Sequence, residues 1–160
     1  MAEKNVEVID KESKQYIVVM VGSEQYGIDI SYIDNIVRMQ KITRVPKIQS
    51  YFKGVINLRG TIVPIIDMRV RFQCPQIEYN QFTVVIILNL RDRVVGIVVD
   101  SVSDVMALPL DAISPAPDIE SVIDTGAIVG LGSVGERMLI LLDIEKLMGN
   151  VDMGLVAPQV

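Results

Sequence analysis

"YGIDISYIDNIVRM" at residues 26–39 and "VGIVVDSVSDVMAL" at residues 95–108 lie over one another without a gap. Gly27 meets Gly96, Ile28 meets Ile97, Ile33 meets Val102 and Ile36 meets Val105. The correspondence extends on both sides. Upstream, "YIVVMV" from residue 16 matches "FTVVII" from residue 82. Downstream, "GVINLRGTIVPIIDM" from residue 54 matches "GAIVGLGSVGERMLILLDI" from residue 126, with the extra residues assigned to the second turn. A period of about 70 residues is longer than the usual solenoid repeats, so two copies of a small lobe fit better than an array. The reading is one domain over 14–148 with lobes of about 14–72 and 82–148, whose terminal segments are free to pack on the other lobe. Residues 1–13 and 150–160 read as flexible tails.

Local signals repeat as well. In each copy a strand (Tyr16–Val21, Phe82–Leu88) enters a polar turn (22–25, 89–93) and returns through Gly27 or Gly96, the pattern of a hairpin. Apolar residues then recur at Ile33, Ile36, Val37 and at Val102, Val105, Met106, consistent with a short helical turn or an irregular strand. Pro46 and Pro109 punctuate the next segment, and each copy closes with a turn between two apolar strands. Asp67 and Asp143 suit helix N-caps, and Gly149 suits the stop of the last helix. Strands this short in so small a lobe hide their edges best by curling into a barrel. The expected fold is all-β with short helices.

Composition agrees and narrows the function. Hydrophobic residues make up 50% of the chain and aromatics only 5%, with no Trp. Branched aliphatics therefore fill the core, as strands prefer. A net charge of −5 repels a phosphate backbone on average, which argues against a nucleic-acid partner even with Lys53, Arg69 and Arg71 nearby. Apolar runs such as "FTVVIIL" and "VVGIVV" are too short to cross a bilayer as helices, so direct membrane insertion is not expected. The polar N-terminus and single cysteine fit a cytoplasmic protein.

Catalytic chemistry is hard to assemble. There is no His, and Cys74 stands alone before Pro75, which removes His bases and the usual zinc ligand sets; no metal or cofactor is expected. "GAIVGLGSVGER" at 126–137 is not a phosphate-binding loop and reads as a hairpin turn. Asp100 and Asp104 could be imagined as an acid/base pair, but Asp residues at strand ends more often bond local backbone. Arg69 and Arg71 read as a solvated face. Binding is the better expectation, and such a surface needs apolar area with a few polar anchors. Arg59 in "NLRG" is equally a plain turn residue and a partner contact.

Together, "YGIDI", "FKGVINLRGTIVPIIDMR", "VVGIVVDSVSDVM", "ISPAP" and "GERMLILLDIEKLM" resemble the CheW family of bacterial chemotaxis adaptors from about Tyr16 to Met148. The resemblance implies two packed five-stranded SH3-like β-barrels and a non-enzymatic scaffold. It would join the cytoplasmic tips of methyl-accepting chemoreceptors to the regulatory domain of the histidine kinase CheA, at membrane-associated arrays. Receptor-facing positions carried over by the resemblance are a helical turn with Ile33, Asp34 and Asn35, and the loop with Gly54, Asn57, Leu58, Arg59 and Gly60. The family often has Glu where this chain has Asn35. Kinase-facing positions fall on exposed residues around Val84, Ile86, Val102 and Val105 in the second lobe. A second kinase contact falls on Ser114 and Ile119 in "ISPAPDI", where Ser114 replaces an expected basic residue. The alternatives are a CheW-like adaptor of another signalling array and, further off, an acid/base enzyme using Asp100 and Asp104.

Overall fold

The computed structural model describes residues 13–44, 46, 51–75, 78–90, 93–115 and 127–149. Both expected tails other than Ser13, together with Ile119 and Gly126, lie outside the described residues. The strands are β1 (Ser13–Val21), β2 (Glu24–Asp29), β3 (Ile33–Arg38), β4 (Phe52–Leu58), β5 (Thr61–Asp67), β6 (Val84–Asn89), β7 (Val94–Val99), β8 (Ser101–Pro109), β9 (Ile113–Ser114), β10 (Ile128–Val134) and β11 (Arg137–Leu142). Two short helices, α1 (Met68–Arg71) and α2 (Ile144–Gly149), follow β5 and β11. Asp67 Oδ1 accepts from Arg69 N at 2.9 Å and Asp143 Oδ1 from Lys146 N at 3.1 Å, so both aspartates cap their helices.

One sheet has the order β8-β1-β2-β11-β10-β9 and the other β3-β6-β7-β5-β4. Each closes on itself. In the first, β9 continues β8 past a 3-10 turn at Leu110–Ala112 and pairs Ser114 with Leu131. In the second, the chain beyond β3 bridges Thr43 to Val55, with backbone hydrogen bonds of 2.8 and 2.9 Å. Closure leaves few unpaired edges, and the all-β architecture expected from the sequence is what forms.

The sheets do not follow lobes 14–72 and 82–148. Hairpin β1–β2 belongs to the sheet built mainly from the second copy, while β6–β7 belongs to the sheet built from the first. The copies have exchanged their first hairpins. β11 lies parallel to β2 (Leu141 beside Gly27), and β5 lies parallel to β7 (Ile65 beside Gly96).

Register also corrects the sequence alignment. Tyr16 opposite Asp29 corresponds to Val85 opposite Val98, not to Phe82. Gly54 opposite Ile65 corresponds to Gly130 opposite Leu141, not to Gly126. The turns after β4 and β10 are of equal length, since Leu58 pairs with Thr61 and Val134 with Arg137. The extra residues of the second copy fall instead around β9, mostly between β9 and β10. Ile33–Asn35 begin a strand rather than a helical turn; the 3-10 turn is at Ile30–Tyr32. Asp34 and Ser103 are skipped in their ladders as bulges. A bulge shifts the two-residue alternation by one, so Ile33 and Ile36, three apart, share a face. The spacing that imitates a helix is the signature of that bulge.

Alternation then divides the core in three. Ile17, Val19, Val21, Ile86, Leu88, Ile97 and Leu142 meet between the sheets with Met68, Phe72, Leu147 and Met148. Val85, Ile87, Ile65 and Val98 fill the second barrel, and Tyr16, Val18, Leu139 and Leu141 fill the first. Tyr26 stacks on Phe72 in the shared core at a ring separation of 4.9 Å, and burial pushes its phenol up to about 12. Because the folded value lies above that of the unfolded chain, its contribution is fully present below pH 10. It fades as pH rises through 12, on the order of 2 kcal/mol in all. Urea unfolding at pH 9 and pH 11.5 should show this loss, and Tyr26→Phe should show a smaller one.

Candidate functional site

The candidate receptor-facing residues gather at one end of the second barrel. Ile33 pairs with Leu88 near the end of β6, and the turn Arg59–Gly60 joins β4 to β5. Since Ile65 lies beside Gly96 in a parallel pair, the beginning of β5 is level with the β6–β7 turn. The starts of β3 and β5 and the end of β4 therefore reach the same rim. Ile33 is half-buried against the core between the sheets, while Asp34 and Asn35 are exposed. Asn35 Oδ1 accepts from Ile36 N at 2.8 Å, which steadies the strand after its bulge.

Arg59 is the unusual residue of this rim. Its φ is +56° and that of Gly60 is +90°, so both central turn residues are left-handed, as in a type I′ hairpin. Such turns favour Asn, Asp or Gly; an L-residue with a long side chain is strained there by about 1 kcal/mol. The corresponding turn of the other barrel places Gly135 at φ +61° and carries no such strain. Arg59 is exposed, and among the described residues its guanidinium has no ion-pair or hydrogen-bond partner. Among the described residues no contact of the Arg59 side chain itself offsets the strain, which points to a use of that side chain outside the chain. Asn57 Oδ1 accepts from Gly60 N at 2.8 Å and braces the turn. Leu58 packs partly into the barrel core.

Other candidates are redistributed. Gly54 is buried, and a Cβ there would lie 2.3 Å from Thr43 O, so it serves the barrel-closing bridge and offers no contact area. Ile86 is 0% exposed in the core between the sheets and cannot reach a partner. The period-two alternation of β6 turns it inward. Val84 and Val102 are partly buried against the same core, while Val105 is 56% exposed. The four do not share a barrel: Val84 and Ile86 lie in the sheet that carries Arg59, Val102 and Val105 in the other. Ser114 is exposed on β9. Sequence reasoning missed the pair Ile62 and Met138, 58% and 59% exposed at corresponding positions of β5 and β11. Aligning the two closing hairpins without a gap would have matched them.

Arg69, Arg71, Asp100 and Asp104 are committed to structure. Arg69 is not solvated: Nε and Nη2 each donate to Asp100 at 2.7 Å, and Nη1 donates to the Pro75 carbonyl. Asp100 Oδ2 also accepts from Gly22 N at 2.9 Å. Arg71 lies over the Tyr51 ring at 5.7 Å. Asp104 pairs with Arg137 at 3.1 Å, whose hydrogen bond holds its carboxyl below the usual range. The two aspartates of the acid/base reading therefore face different arginines and do not cooperate. Burial raises the Cys74 thiol, which works against a reactive thiolate. Among the described residues no cluster of three or more His, Cys, Asp or Glu could hold a metal, and no helix is long and apolar enough to cross a membrane.

Comparisons with known proteins agree with this architecture. The CheW-like domain model matches residues 15–152. The chemotaxis protein CheW of Klebsiella aerogenes is 48% identical over 143 residues, covering 89% of this chain and 86% of that one. That of Bacillus subtilis is 40% identical over 108 residues, covering 68% and 69%. The crystal structure of the scaffolding protein TtCheW from Thermoanaerobacter tengcongensis superposes with a TM-score of 0.75 at 30% identity, covering 81% of this chain and 88% of that one. With the family model spanning nearly the whole chain and relatives well above 30% identity, the chain belongs to the CheW family of chemotaxis proteins.

Proposed function

We propose that this chain is a cytoplasmic chemotaxis scaffold that couples the tips of transmembrane chemoreceptors to the histidine kinase CheA, acting by binding and not by catalysis. Family membership supports the role. The observation that carries the receptor surface is Arg59, exposed and left-handed on a braced turn at the rim that also holds Ile33–Asn35. A receptor tip is a helical hairpin, and a helix laid across such a rim sets apolar residues against Ile33 and Leu58 while Arg59 bonds a carboxylate or carbonyl. Val105 and Val102 of β8 supply the kinase surface, Val84 of the other sheet is a separate candidate contact, and Ser114 belongs to a second one. Binding both partners at once raises their effective concentration, so geometry alone can transmit a receptor movement.

Arg59→Ala is expected to weaken binding to a receptor-tip fragment by about 1–3 kcal/mol and to leave binding to the CheA regulatory domain intact. Val105→Glu should show the reverse selectivity. Arg59→Gly should weaken receptor binding by as much as Arg59→Ala while stabilising the fold by about 1 kcal/mol, because glycine accepts the positive φ without strain. Calorimetric titration and urea unfolding of the same variants check both halves. Unchanged receptor binding by Arg59→Ala would remove Arg59 from the site.

A further inference from the structure

We infer that Asn57 is a positioning residue: it holds Arg59 in its left-handed conformation, and it acts on receptor binding through Arg59 and not by its own contact. The inference rests on the receptor-binding reading of Arg59 and goes beyond it. The observations are local. Asn57 and Arg59 are both exposed, and the Asn57 side chain accepts from Gly60 N at 2.8 Å across the turn. In the folded chain this bond spans the tight turn that has Arg59 at φ +56° and Gly60 at φ +90°. A two-residue turn of this kind is normally specified by Asn or Asp at its first central position, where Arg59 stands. Here the Asn-type side chain is displaced two residues upstream and supplies its acceptor from the strand.

The corresponding turn of the first barrel shows the contrast within one molecule. At positions corresponding to Asn57, Arg59 and Gly60 it has Ser133, Gly135 and Glu136, and Gly135 takes the positive φ unaided. A turn that presents no long side chain at the strained position has a glycine there. The turn that presents Arg59 has an amide acceptor reaching Gly60 N. Without Asn57 the Arg59 backbone would relax toward ordinary negative φ, and the guanidinium would sweep away from the rim shared with Ile33.

The test uses the full chain, isotope-labelled, with Asn57→Ala and Asn57→Asp. A residue at positive φ gives a strong intraresidue HN–Hα NOE. At Arg59 this NOE is expected in the parent and in Asn57→Asp, whose carboxylate still accepts from Gly60 N, and is expected to vanish in Asn57→Ala. The binding arm titrates a receptor-tip helical hairpin fragment in a double-mutant cycle. Asn57→Ala should weaken binding roughly 3- to 10-fold in the parent and by less than about 2-fold in the Arg59→Gly background. Asn57→Asp should recover most of the loss. Persistence of the NOE in Asn57→Ala overturns the inference, and so does an undiminished loss in the Arg59→Gly background, which would make Asn57 a direct contact. If the parent does not bind the fragment, the receptor reading fails separately, and the NOE alone decides whether Asn57 holds the turn.

Discussion

Asp100→Ala is expected to lower the unfolding free energy by about 3 kcal/mol, and Arg69→Met by a similar amount. The reason lies in where the pair sits. Asp100 is the single residue between β7 of one sheet and β8 of the other, and it bonds Arg69 of α1 in a bidentate pair. Its second oxygen also accepts from Gly22 N in the β1–β2 turn. One carboxylate thus ties three segments where the chain passes between barrels. The side chains keep only 12% and 22% exposure, so removing either partner leaves a mostly buried charge without its counterpart. Asp100→Ala also strands the Gly22 N–H. The double variant should cost less than the sum of the singles, since no lone charge remains. Urea midpoints at constant m-value measure this, and losses under about 1 kcal/mol for both singles would show the pair to be an ordinary surface bridge. The corresponding positions in the other copy are Ser31 and Glu145, so the exchanged hairpins are latched on one side.

Gly54→Ala should be as damaging for a different reason. Its φ is +140°, and a Cβ would come within 2.3 Å of Thr43 O and 2.8 Å of Ile42 Cγ2. The clash is with backbone, so a side-chain rotation cannot relieve it. Relief requires opening the Thr43–Val55 bridge that closes the second barrel, at about 3 kcal/mol. Hydrogen exchange at the Thr43 and Val55 amides should accelerate, and receptor binding should fall because the rim loses its frame. Gly130→Ala provides the control. Its Cβ would lie 2.3 Å from Ser114 O in the first barrel, so it should loosen that closure while sparing the receptor surface. Protection of Thr43 and Val55 unchanged in Gly54→Ala would contradict this role.

Much of the fold is legible in the sequence because its rules are local. The repeated hairpins, the capping aspartates and the branched aliphatic strands are each visible in a short window. The exchange of hairpins is not, since pairing partners of β2 and β7 are chosen by contacts far along the chain. The spacing at Ile33 and Ile36 misleads in a specific way, because a bulge at Asp34 imitates helical periodicity. Of the candidate site, Arg59 stands out through its type and its neighbouring glycine, but its left-handed backbone and its brace by Asn57 emerge only in the folded chain. Arg69 reads wrongly as solvated because its partner Asp100 is distant in sequence. Ile86 reads wrongly as a contact because a run of five apolar residues does not show which ones face inward.

The central claim is that one chain holds two partners at once. The measurement is capture of the CheA regulatory domain on beads bearing a receptor-tip fragment, with and without this protein. The kinase domain should be retained only when the chain is added, and Arg59→Ala should sharply reduce retention while still binding the kinase domain in solution. Retention that is independent of the chain, or a parent chain that binds either partner but never both together, would contradict the scaffold account.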